Sequence, residues 1–235
     1  MTSQRRDLTT IDQELADEAA KVSSMVGQPE SKKITIDRTG NFVAAGGLVL
    51  GAEIQVCVID FCTAHDYYVG TYDPNNPAPP VCFARGRTIA ELYPEESAPE
   101  PQSETCGPCP WNQFGSRGNG KACKNTRNLA VVLADELGDE EVDPELHLLV
   151  VPPTALKSFD AAVLQCARIF NGPPIKALLT VRVQPMPTYT TMSFSSPEAN
   201  PHYADVFHLR DAAEDIIGRL PDLSKYVPTK QGARR

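Results

Sequence analysis

At 235 residues, with 41% hydrophobic and 22% charged side chains, the chain has the composition of an ordinary globular protein. It is long enough for one elaborated domain or for a domain with a small added module. No apolar run approaches the roughly 18 residues that span a bilayer, which argues against a membrane partner, and a formal net charge of −8 excludes a generalised polycation. The opening "MTSQRRDLTTIDQELADE" has no apolar signal core and too many acids for a transit peptide, so a cytoplasmic location is expected. In a reducing compartment, seven cysteines, an odd number, point to metal binding or buried thiols rather than disulfides.

Along the chain, Leu8, Ile11, Leu15, Ala19, Val22 and Val26 fall at helical spacing, and Thr10 with Gln13 resembles a capping box. Residues 1–30 are therefore expected as an N-terminal amphipathic helix or arm. Strand-like runs follow at 32–37 and 41–50. The runs 53–61 and 66–72 read as an antiparallel pair turning around "CTAH", after which "DPNNPAPP" leaves the sheet. Residues from about 80 to 128 form a cysteine-rich insert with little periodicity, followed by the strand "NLAVVLA", the acidic stretch 135–145 and the strand "LHLLVV". Residues 153–172 read as a helix, with Thr154 as N-cap and Asn171-Gly172 as its stop. Leu156, Phe159, Val163, Cys166 and Phe170 form its apolar face. Two strands at 175–184 and 189–195, a closing helix over 202–220 and a flexible tail over 221–235 complete the order. The expected fold class is mainly β with flanking helices (α+β). Five or so antiparallel strands with a helix before the last two fit an OB-fold-like small barrel over 31–220. A generic α+β sandwich gives a similar string.

The insert offers two tempting motifs. "CGPC" (Cys106 to Cys109) is the thioredoxin tetrapeptide, and Gly115 to Lys121 has P-loop spacing. Disulfide exchange needs the first cysteine at a strand–helix junction, where the helix dipole lowers the thiol pKa, and the polar, proline-rich "ESAPEPQSET" precedes it instead. A P-loop needs Ser or Thr where Ala122 stands, and a buried strand leading into it. A deaminase zinc site needs an upstream His-x-Glu, which none of the four histidines begins. The reading that uses every cysteine of the insert is a structural zinc site. Cys106 and Cys109 form a C-x-x-C knuckle, Cys123 follows a glycine-rich loop, and Cys82 is the fourth ligand. Four thiolates leave no open position, and metal would supply the order that a segment without apolar periodicity lacks. Unrelated free thiols are the alternative. Cys57, Cys62 and Cys166 fall in apolar surroundings, as buried small hydrophobes do.

Between residues 105 and 134 there is no acid, but there are Arg117, Lys121, Lys124 and Arg127, in a chain acidic on both flanks of that segment. Some of that charge would offset the thiolates. The rest, interleaved with Trp111 and Phe114, has the character of a single-stranded nucleic-acid surface, where cations track phosphates and rings stack on bases. By strand alternation Tyr68 and Tyr72 share one face, with Tyr67 opposite, and add stacking surface.

The tyrosine-bearing strand, "PPVCF", "CGPCPWNQFGS", "GNGKACKNTRNL" and "LLVVPPTALKSFDAAV" together resemble bacteriophage-encoded zinc-containing single-stranded DNA-binding proteins, over roughly residues 40–195. The specific part is the cysteine framework. The resemblance implies an OB-like domain, structural Zn²⁺ on Cys82, Cys106, Cys109 and Cys123, and largely sequence-independent binding of single-stranded DNA. It also implies work in phage DNA replication or recombination, with proteins of those processes and a second copy of the chain as further partners, in the host cytoplasm. The ending "KQGARR" departs from the acidic tail through which several proteins of this function recruit partners, which puts recruitment by a tail in doubt. No paired carboxylates, nucleophile–base set or open metal position points to an enzyme. The competing expectation is a zinc-stabilised structural or protein-interaction module without nucleic-acid binding, favoured by the net acidity and the N-terminal helix.

Overall fold

The computed structural model describes residues 32–70, 77–88, 90, 92–139 and 141–226; the expected N-terminal helix, Tyr72 and residues 227–235 lie outside them. Among the described residues, the fold is mainly β, one curled half-barrel sheet with two α-helices. The strands are β1 (Lys33–Ile36), β2 (Phe42–Val43), β3 (Val49–Gly51), β4 (Glu53–Tyr67), β5 (Cys82–Gly86), β6 (Cys123–Leu133), β7 (His147–Val151), β8 (Ala177–Pro185), β9 (Thr190–Phe194) and β10 (Glu198–Ala199). The helices are α1 (Leu156–Phe170) and α2 (Arg210–Ile217). The order across the sheet is β10-β8-β4-β6-β7-β1-β2-β3, with β5 added to β4 and β9 to β8. All pairings are antiparallel except β1 with β7.

The spine is β4, fifteen residues without interruption. The expected turn at 62–65 is therefore absent. Cys62, Thr63, Ala64 and His65 include no glycine, proline or asparagine, so nothing local breaks an extended chain. Both edges also find partners, because Thr63 to Tyr67 pair with β5 on one side and with Cys123 to Arg127 of β6 on the other. A register slip between Val58 and Asp60 marks a β-bulge. The bulge bends β4 and separates the half that pairs with β8 from the half that pairs with β5.

Alternation sends β4 side chains to two cores, which is why "VCVI" reads as a continuous apolar run. Val56, Val58 and, past the bulge, Phe61 face α1, where Phe159 is fully buried and meets Phe61 edge-on at 5.1 Å. Cys57, Ile59 and Cys62 face the opposite side with Ala213 and Ile217 of α2. The three cysteines read as small hydrophobes are buried: Cys57 and Cys62 in this second core, Cys166 on α1 in the first. Burial raises the thiol pKa of each, that of Cys57 to about 12.

α1 ends as its sequence predicts, on Asn171 in the left-handed conformation with φ 45°. Its N-cap is Ala155, not Thr154. The Thr154 hydroxyl is engaged instead with Thr191 Oγ1 at 2.7 Å, which ties the helix start to β9. α2 is shorter than the helix expected over 202–220, because Phe207–Leu209 coil as a 3-10 turn before it. No helix among the described residues is long and apolar enough to cross a membrane.

Candidate metal centre and nucleic-acid groove

Where β4, β5 and β6 run side by side, Tyr67 is the register partner of Cys82 on one side and of Cys123 on the other. Cross-strand partners point to the same face, so Cys82, Tyr67 and Cys123 stand in a row, with His65 two residues back on that face. The insert brings Cys106 and Cys109 onto this row. The Cys106 N–H donates to Leu92 O at 3.0 Å. The knuckle's carbonyls are held by two adjacent amides. Asn112 Nδ2 donates to Cys106 O at 2.8 Å, and Gln113 Nε2 donates to Gly107 O at 2.9 Å and Cys109 O at 3.2 Å. All four thiols are buried. They line one cavity of about 20 Å³ together with His65, Tyr67, Trp111 and Asn112, which is room for one water-sized occupant.

These four cysteines are the residues whose chemistry could hold a metal. Burial is the main cause that pushes the Cys123 thiol up to about 12, reinforced by Cys106, Cys109 and Cys82, and the Cys106 thiol up to about 11, reinforced by Cys82 and Cys109. Burial also raises Cys82. Cys82, Cys106 and Cys123 are thus held as neutral thiols, and a bound metal would have to displace their protons. The donors share the cavity without meeting. Among the described residues no group of three or more His, Cys, Asp or Glu is gathered closely enough to grip an ion. The reason is visible in the register: Cys82 and Cys123 are two strand spacings apart, about 10 Å between backbones. A thiolate site with metal–sulfur bonds of about 2.3 Å needs both side chains turned inward over Tyr67.

Beside this cavity runs a groove of about 810 Å³, a volume suited to a molecular ligand rather than an ion. Tyr68, Phe114, Arg117, Lys121 and Lys124, all singled out in the sequence, line it. Of β6, only Arg127 to Val131 pair with β7, so the start of β6 leaves this side open. Phe114 is 80% exposed, and Lys121 Nζ lies 5.2 Å from its ring centre. Arg117 Nη2 donates to Gly70 O at 3.0 Å, which anchors the loop to the end of β4. The partner of Lys124 across the sheet is Asp66, whose carboxylate is engaged by Arg85 Nη2 at 3.0 Å.

Two expected members stand elsewhere. Trp111 stacks on Tyr67, with centroids 5.2 Å apart and planes at 17°, and walls the cysteine cavity. Arg127 shares the sheet face covered by α1, and its Nη2 lies 3.5 Å from Asp160 Oδ1 on that helix. The P-loop-like stretch is a tight hairpin in which Gly120 N–H donates to Arg117 O at 3.0 Å, with Gly118 at φ 59°. CGPC follows irregular chain and precedes only the 3-10 turn Pro110–Asn112.

Three participants were missed. His65 is 5% exposed, its Nδ1 has no hydrogen-bond partner, and it faces the cysteine cavity. Its pKa falls to about 4, mainly by burial and then through Lys121, Arg127 and Arg85. Asn125, whose Nδ2 is buried without a partner, lines the groove. Lys33 of β1 has its ammonium pKa lowered by burial and then by nearby Lys124. Reading β4 as continuous would have placed His65 on the face of Tyr67 by period two; nothing in the sequence signals the other two. Comparison of the sequence with protein-family models and with curated proteins gave no match.

Proposed function

We propose that the chain is a non-enzymatic single-stranded DNA-binding protein with an OB-like body and a structural zinc in its insert, serving phage DNA replication or recombination. The observation that carries the reading is the groove, in which Tyr68, Phe114, Arg117, Lys121 and Lys124 converge from separate stretches of sequence. Cations beside exposed rings are what a sequence-tolerant single-strand site requires. Connectivity adds support. β4, β6 and β7, then α1, then β8 and β9 follow the OB order, with β4 paired antiparallel to both β6 and β8. The insert then occupies the connection between the first two strands of that barrel, a loop through which OB folds bind oligonucleotides. Zinc on Cys82, Cys106, Cys109 and Cys123 would supply a closed tetrahedral staple without reactive chemistry.

Fluorescence anisotropy of a labelled oligothymidylate tests the function. Zinc-loaded protein should bind at low salt and weaken with salt by a log–log slope of about −0.7 per phosphate contacted. No binding at low salt overturns the reading. Metal analysis of purified protein should find about one zinc per chain.

A further inference from the structure

We propose that Tyr226 is a base-stacking residue of the groove, so that the last described turn of the chain belongs to the nucleic-acid site, an inference that rests on the reading above. Residues 221–226 open the stretch expected as a tail, yet Leu223–Tyr226 coil as a 3-10 turn. Asp222 fixes its start, where Oδ1 accepts from the Ser224 N–H at 3.0 Å and from Ser224 Oγ at 2.6 Å. The turn delivers Tyr226, half-buried, to the groove lined by Tyr68, Phe114 and the cations Arg117, Lys121 and Lys124. Three rings therefore reach one groove from three separate parts of the chain. Phe114 comes from the insert, Tyr68 from just beyond the end of β4, and Tyr226 from the C-terminal turn.

The Tyr226 and Tyr68 side chains are near enough to interact. Burial, then Asp66 and then Tyr226 raise the Tyr68 phenol to about 12. Cations alone would hold any polyanion, whereas a groove that holds bases needs planar faces along the path of the phosphates. Every base has such a face, so each added ring lengthens the stacking platform without reading sequence. Tyrosine suits the role because its rigid ring has only two side-chain torsions to immobilise on binding. The competing role, an anchor that merely fastens the turn to the body, needs apolar bulk at Tyr226 but no aromatic ring. The two roles therefore part on a ligand that has phosphates and no bases.

Fluorescence anisotropy on the full chain compares labelled oligothymidylate of about 20 nucleotides, long enough to cover an OB-type site, with an abasic deoxyribose-phosphate oligomer of the same length. Wild type should bind the oligothymidylate more tightly, because only that ligand offers faces to stack. Tyr226→Leu keeps apolar bulk and loses the ring. It should weaken oligothymidylate binding about tenfold and leave binding of the abasic oligomer unchanged. The salt slope should also stay as it is, since no charge is removed. Tyr226→Phe should bind both ligands as wild type does. Equal weakening of both ligands by Tyr226→Leu, or no weakening, overturns the inference. So does Tyr226→Phe as weak as Tyr226→Leu, or wild type that binds the two ligands equally. Each of these results leaves the functional reading intact, because the oligothymidylate is still bound by wild type. Wild type that binds neither ligand at low salt overturns both.

Discussion

Around Phe159 the sheet and α1 bury eighteen residues in one apolar cluster, whereas the cluster of the insert consists of Ala84, Leu92 and Cys106. Ordering a residue costs about 1–2 kcal/mol of backbone entropy, and between 87 and 122 the buried apolar side chains among the described residues are Leu92, Ala98, Cys106 and Cys109, too few to offset it. Stability in the two regions must therefore come from different sources. The body is held by area removed from water, and the insert by local links: backbone bonds from the Asn112 and Gln113 amides and the Trp111–Tyr67 stack. The half of the molecule that cannot hold itself together by burial is also the half that carries the groove loop.

The largest effect separates the two regions directly. Structural zinc in small modules contributes on the order of 10–16 kcal/mol, so chelation or Cys109→Ser should open the insert. Amide exchange should quicken across 92–122 while β4, β6 and β8 stay protected; simultaneous opening of both regions would refute the division. Phe159→Ala attacks the other side. It should cost about 3–5 kcal/mol in denaturant unfolding of the whole chain, with zinc content unchanged below the transition.

His65 sharpens the comparison, because it belongs to the long strand of the body yet faces the insert. In the folded structure its pKa is about 4, below the ordinary imidazole value of about 6.5. The unfolded chain thus takes up a proton that the folded chain refuses. Stability is full above pH 6.5 and is lost as pH falls toward 4, by up to about 3 kcal/mol. His65→Gln should flatten urea midpoints between those pH values relative to wild type; an unchanged slope would show that His65 is not the source. The smallest effects distinguish the cations. Phe114→Ala should weaken oligothymidylate binding by about 1–3 kcal/mol. Lys124→Ala should reduce the salt slope by about 0.7, whereas Arg127→Ala, whose partner is Asp160, should leave it unmoved.

Much of the body was legible in the chain. Short apolar, strand-like runs marked β1, β6, β7, β8 and β9, and the 3.6-residue period with Asn171 marked α1. The errors came where a non-local partner overrode a local signal. Cys62 to His65 read as a turn because two tyrosine-bearing and apolar runs flank them, yet β5 and β6 hold them extended. Thr154 had cap chemistry, but Thr191 claimed its hydroxyl. Of the residues expected at a nucleic-acid surface, Trp111 packs against Tyr67 and Arg127 lies beside Asp160, outside the groove lining.

By itself the sequence determined what depends on neighbours along the chain: the mainly β class, a helix within 153–172, the C-x-x-C knuckle, and an acid-free, basic, aromatic segment inside an acidic protein. Only the tertiary structure decided that Cys82 and Cys123 flank Tyr67 above one cavity with Cys106 and Cys109, that His65 faces it, and that five of the expected groove residues meet. The physical reason is that strand pairing joins residues far apart in sequence, and a side chain's face is set by the register of that pairing rather than by its own neighbours.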